Sequence, residues 1–142
     1  MCSEPAPRPA LPDLLRLTAA DGTRGVFLLS RCHDCGAVAP GIRRACPSCA
    51  SRAVATIESA GDGTLVSYTL VHRAAQGWTG RVPYALGEVA LRDGGIVCAE
   101  IVGADPARLR RGQPMLLALE RIEDGAAPPL VINRWTPAGT PA

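Results

Sequence analysis

Four cysteines dominate the chemistry available to this chain of 142 residues. They stand as Cys32-His33-Asp34-Cys35 and Cys46-Pro47-Ser48-Cys49, two Cys-x-x-Cys pairs with ten residues between them. Thiolates are soft donors, and four of them at this spacing predict one tetrahedral structural zinc per chain. A two-residue spacer lets the backbone fold into a knuckle, so both sulfurs of a pair point at one ion. Gly36 follows the first pair, where a residue free to take positive φ closes such a turn. Pro47 pre-sets φ inside the second. Iron, disulfides and an empty site are the alternatives these residues leave open. His33 is a further possible ligand, but four thiolates already close the shell, so it reads as a solvent-facing knuckle residue. A closed shell has no position for water or substrate; this metal holds structure.

No second constellation promises chemistry. His72 is the only histidine outside the knuckle, and Glu88, Glu100 and Glu120 fall on predicted strands with no nucleophile beside a base. Ser67 and Thr69 read as ordinary strand hydroxyls. Independent catalysis is therefore not the expected role. The net charge is only +2, and all 15 basic residues are arginine, which is not the strongly basic balance of a nucleic-acid-binding domain. Aromatic residues make up 4% of the chain, few for a surface that stacks bases. A single-stranded nucleic-acid-binding ribbon and barrel module remains the alternative function.

The other two cysteines are Cys2, expected as a free thiol on a mobile end, and Cys98, expected as a small buried hydrophobe in the apolar run Ile96 to Val102. Metal-type cysteine spacing, with no secretory leader visible in the proline-broken stretch Met1 to Pro12, predicts a reducing cytoplasmic setting. No eighteen-residue apolar run suggests a membrane span.

The elements that must position these residues are short. Asp13 to Ala20 has helix formers behind a possible capping Asp, which predicts an N-terminal helical segment. Strands are expected at 25–31, 37–45 and 52–59, forming the ribbon around the metal. Gly61-Asp62-Gly63 marks a turn, after which β patterns take over. Strands are expected at 64–73, 84–92, 96–103, 115–122 and 130–135, with a hairpin turn at Asp93-Gly94-Gly95 and a helical turn at Asp105 to Leu109. Five strands with that interruption describe a five-stranded OB-fold barrel, with a β-sandwich as the rival. The expected division is a lead-in and short helix at 1–24, a zinc ribbon at 25–59, the OB-fold at 60–135 and a tail at 136–142.

The stretches Leu29 to Gly36, Arg44 to Cys49, Gly61 to Thr69, Pro83 to Val89 and Val102 to Pro106, in this order, resemble the DUF35 family. That resemblance implies a mainly β protein with a rubredoxin-like zinc ribbon followed by an OB-fold. It also implies a non-catalytic subunit that accompanies a thiolase-like, hydratase-like or aldolase-like acyl-CoA enzyme, bridges its subunits and helps hold the CoA thioester. Asp13 to Ala20 lacks the aromatic pair that the first helix of the family often carries. In such a role Arg73 and Arg81, flanking the loop of Trp78, are the candidate acyl-CoA contacts, with Arg134 and Trp135 as further rim or docking residues.

Overall fold

The computed structural model describes residues 5–78, 80–122, 125 and 128–139. Cys2 lies outside them. The strands run β1 (Arg8–Pro9), β2 (Leu15–Leu17), β3 (Gly25–Cys32), β4 (Val38–Pro40), β5 (Val54–Ser59), β6 (Asp62–Val71), β7 (Tyr84–Leu91), β8 (Ile96–Ile101), β9 (Pro114–Ile122) and β10 (Leu130–Pro137). One 3-10 turn, Pro106–Arg108, sits between β8 and β9, capped by the Asp105 carboxylate accepting from Ala107 N–H at 3.0 Å.

The expected N-terminal helix does not form; among the described residues there is no α-helix. Leu14 and Leu15 N–H groups both donate to the Leu11 carbonyl, at 3.0 and 2.9 Å, closing a single turn. The chain then extends into β2, where Leu15, Arg16 and Leu17 pair antiparallel with Phe27, Val26 and Gly25. The physical reason is length and a partner. Isolated helices become stable only near ~12–15 residues, whereas pairing with β3 lets Leu15 bury itself completely. Local propensity lost to a long-range edge.

β3 is the spine of the ribbon sheet, with β5 along one edge and β2 and β4 end to end along the other. Its inner half buries Phe27, Leu28, Leu29 and Ser30, and its last residue is the metal-site Cys32. The chain turns from β5 into β6 at Gly61, where φ is +86° and a Cβ would sit 2.5 Å from Leu117 Cβ, so both the turn and the packing require glycine.

β6 to β10 close a barrel. The hydrogen-bonded order is β10-β8-β7-β6-β9, and β9 pairs back onto β10 along eight residues, from Leu130↔Ile122 to Pro137↔Met115. β8 meets β10 in parallel at Ile101↔Trp135, the crossover passing through the 3-10 turn and β9. This strand order is that of an OB-fold. A bulge between Leu65 and Ser67 bends β6 where it wraps the barrel. The proline-rich lead-in is tied down: β1 adds to β10 in parallel, Arg8 opposite Leu130.

Ribbon and barrel share one core. Phe27 and Leu29 from β3 pack with Leu65, Val89, Val97, Met115 and Trp135 from the barrel. Trp135 is fully buried, its ring 5.5 Å from that of Phe27, and its indole N–H donates to Val97 O at 3.1 Å. Trp135 is thus a core residue and presents nothing to a partner. The β7–β8 turn docks on β4: a Cβ on Gly94 would fall 2.8 Å from Val38 Cβ. Only a residue without a side chain permits that approach. Among the described residues no helix is long and apolar enough to cross a membrane.

Candidate metal centre

The four cysteines converge at the far end of the ribbon. Cys32 Sγ lies 3.6 Å from Cys49 Sγ, Cys35 Sγ 3.6 Å from Cys46 Sγ, and all four sulfurs fall within 4.8 Å of one another. A disulfide needs ~2.05 Å, so these are not bridges. A tetrahedron of sulfurs ~2.3 Å from a central ion has edges of about 3.8 Å. The donor set fits a metal ion of that kind.

The two knuckles repeat one hydrogen-bond pattern. Gly36 N–H donates to Cys32 O (3.0 Å) and Cys32 N–H to Ala37 O (2.9 Å). Correspondingly, Ala50 N–H donates to Cys46 O (2.9 Å) and Cys46 N–H to Ser51 O (2.7 Å). Gly36 and Ala50 both adopt left-handed φ, +76° and +66°. Ala50 therefore carries strain that glycine avoids, and inspection of the sequence passed over it. Its signal was its place, immediately after the second Cys-x-x-Cys, where the first pair has Gly36. Asp34 accepts from the Ser51 hydroxyl and so ties knuckle to knuckle. His33 is exposed, like Cys35 and Cys49 beside it.

Electrostatics prepare the sulfurs unequally. Cys32 is lowered to about 7, chiefly by the Cys35 backbone N–H and also by that of Asp34, against the cost of burial. Cys46 is lowered by the N–H groups of Cys49 and Ser48. Although the Ser51 N–H favours its thiolate, Cys49 is pushed up to about 12 by the sulfurs of Cys32 and Cys35 beside it. Four adjacent thiolates need a cation among them.

The residues expected around a thioester lie elsewhere, on the barrel. Trp78 is half-buried and stacks on Tyr84, rings 4.4 Å apart and 22° from parallel, with its indole N–H donating to Arg81 O at 3.4 Å. The pair lines a shallow groove of about 210 Å³ together with Leu11, Leu86 and Ile132. Arg73 and Arg81 are exposed on the same loop. Arg134 is no free cation: it pairs with Glu100 at 3.1 Å and with Glu120 at 2.8 Å. Cys98 is exposed rather than buried, because inward-facing Val97 turns its neighbour outward; partial desolvation by the surrounding strands, and then the Glu88 charge, push its thiol up. Glu88 accepts from the Ser67 hydroxyl at 2.8 Å, and His72 is exposed.

A paired-knuckle cysteine ribbon joined through a common core to a closed OB barrel defines the class of this protein. The family described as ChsH2, C-terminal OB-fold domain, matches residues 56–120. A DUF35 domain-containing scaffold protein of Methanocaldococcus jannaschii is 30% identical over 97 residues, covering 67% of this chain and 69% of the relative. One of Pyrococcus furiosus is 27% identical over 82 residues, 58% of this chain and 60% of that protein's length. A probable enoyl-CoA hydratase alpha subunit of Thermomonospora curvata is 29% identical over 91 residues, 64% of this chain and only 28% of the relative. Among solved structures, a chain of the Ltp2-ChsH2(DUF35) aldolase superposes with a TM-score of 0.61 at 30% identity, covering 80% of this chain and 85% of that one. The chain belongs to the DUF35 family.

Proposed function

We propose that this protein is a non-catalytic, zinc-binding accessory subunit that scaffolds a cytoplasmic thiolase-superfamily or related acyl-CoA enzyme. The observation that carries the reading is the closed set of four sulfurs within 4.8 Å. With Cys32, Cys35, Cys46 and Cys49 all ligating, zinc has no open position for substrate and serves as a staple. The relatives support the rest: two are scaffold proteins, one is a probable hydratase subunit and one belongs to an aldolase assembly. In this reading residues 25–59 form the platform and 60–135 the barrel. Arg73, Trp78 and Arg81 form the rim that meets a CoA thioester, the guanidiniums taking phosphate and the indole covering an apolar or adenine face.

The test is reconstitution with the acyl-CoA enzyme that co-purifies from the native host. Metal analysis gives one zinc per chain, the chain alone turns over no thioester, and adding it raises the activity or solubility of its companion. Replacing Arg73 and Arg81 together by Glu raises the KM of the complex for the CoA ester roughly tenfold or more, the scale of one or two charge-assisted hydrogen bonds. A rigorously purified chain that processes thioesters unaided overturns the reading.

A further inference from the structure

β6 is paired with β7 from Gly63 to Val71, but its other edge is covered only at the start. There β9 pairs with Asp62, Gly63 and Thr64. Beyond it, Leu65 N–H donates to Gln113 O (3.0 Å) and Leu65 O accepts from Gly112 N–H (2.7 Å). Arg111 Nε then occupies Val66 O at 3.1 Å. From Tyr68 to Val71 no strand pairs with that edge among the described residues. An open edge is a template for another extended chain, and proteins usually blunt one with a charge or proline. Tyr68-Thr69-Leu70-Val71 contains neither. Tyr68 and Leu70 sit opposite buried Gly87 and Ala85, on the side that faces the barrel interior, yet they are 38% and 36% exposed. These are core-type positions without a cover.

Charge indicates what covers them. Arg110 Nη1 donates to Leu109 O at 3.0 Å, the carbonyl that also accepts the Tyr68 hydroxyl at 3.2 Å. Arg110 and Arg111 thus flank one end of the edge, and exposed Arg73 follows the other. None of the three forms a salt bridge among the described residues. Glu88 is engaged with Ser67, and Asp105 serves as a cap. A second copy is a poor occupant, because antiparallel pairing of two β6 edges sets Arg111 of one against Arg73 of the other. Like charges facing across a pair oppose it.

We propose that the Tyr68–Val71 edge of β6 accepts an extended, acidic segment of the companion enzyme as an added strand, its apolar residues against Tyr68 and Leu70 and its carboxylates toward Arg73, Arg110 and Arg111. The identity of the companion rests on the scaffold reading; the edge does not. Selection of random displayed peptides on the full, metal-loaded chain tests it without any enzyme present, so failure here and failure of the scaffold reading are told apart. Enriched peptides alternate apolar residues with Asp or Glu. N-methylating alternate residues of a synthetic winner weakens binding roughly tenfold or more, since the added strand loses main-chain donors. On binding, the amides of Tyr68–Val71 that face the open edge exchange more slowly, and Leu70→Asp, in a preparation whose melting temperature matches the parent's, or Arg73→Glu, which lies beyond the strand, removes or weakens the binding. Neutral or basic winners, indifference to N-methylation, protection confined to another surface, or no enrichment at all would overturn the proposal.

Discussion

The tip of the ribbon and the barrel share β3, yet different forces hold them. In the barrel, Leu65, Val89, Val97, Met115 and Trp135 interlock in one buried cluster, with the shared β3 residue Phe27 against them. From His33 to Ala53 only Ala39 and Cys46 are buried. So few buried side chains cannot offset the entropy of ordering such a stretch. The barrel is ordered by apolar burial, and in the proposed reading the tip is ordered by an ion held among its four sulfurs.

The contrast is most sharply broken at the proposed zinc. Zinc binding at a four-thiolate site contributes on the order of 10 kcal/mol, as much as the whole stability of most domains. Cys46→Ser should therefore give a chain that aggregates or melts far below the parent, measured by calorimetry. Next comes the barrel itself. Trp135→Ala removes the largest fully buried side chain and its indole hydrogen bond to Val97 O, so denaturant titration should show a loss of about 3–5 kcal/mol with metal content unchanged. A smaller effect is expected at Arg134, whose side chain is 15% exposed between Glu100 and Glu120. Arg134→Met leaves two carboxylates together and should cost about 1–3 kcal/mol, part of which Glu100→Gln restores in the double variant. The smallest change sharpens the likeness of the knuckles. Ala50→Gly should stabilise by about 1 kcal/mol, while Gly36→Ala destabilises by a similar amount, read as opposite shifts in melting temperature.

Much of this was legible because it is local. Cys-x-x-Cys spacing, the Asp93-Gly94-Gly95 turn and the alternation along β6 each declare themselves within a few residues. What escaped depends on contacts distant in the chain. Asp13 to Ala20 has helix formers, and only the open edge of β3 explains why Leu15 to Leu17 is extended. The run around Cys98 is apolar on both faces, which hides the alternation that turns the thiol outward. Arg134 and Trp135 are adjacent in sequence, but one joins an ion cluster and the other the core, as the two faces of β10 require. Trp78 and Arg81 were legible as neighbours on one loop; the stacking of Trp78 on Tyr84 was not.

Hydrogen exchange on the chain before and after zinc is removed by a chelator compares the two regions most directly. With metal stripped at neutral pH, amides from Cys32 to Ala53 should lose protection almost completely while those of Val89 and Val97 in the barrel still exchange slowly. Equal protection of the knuckle amides with and without the ion would contradict the account.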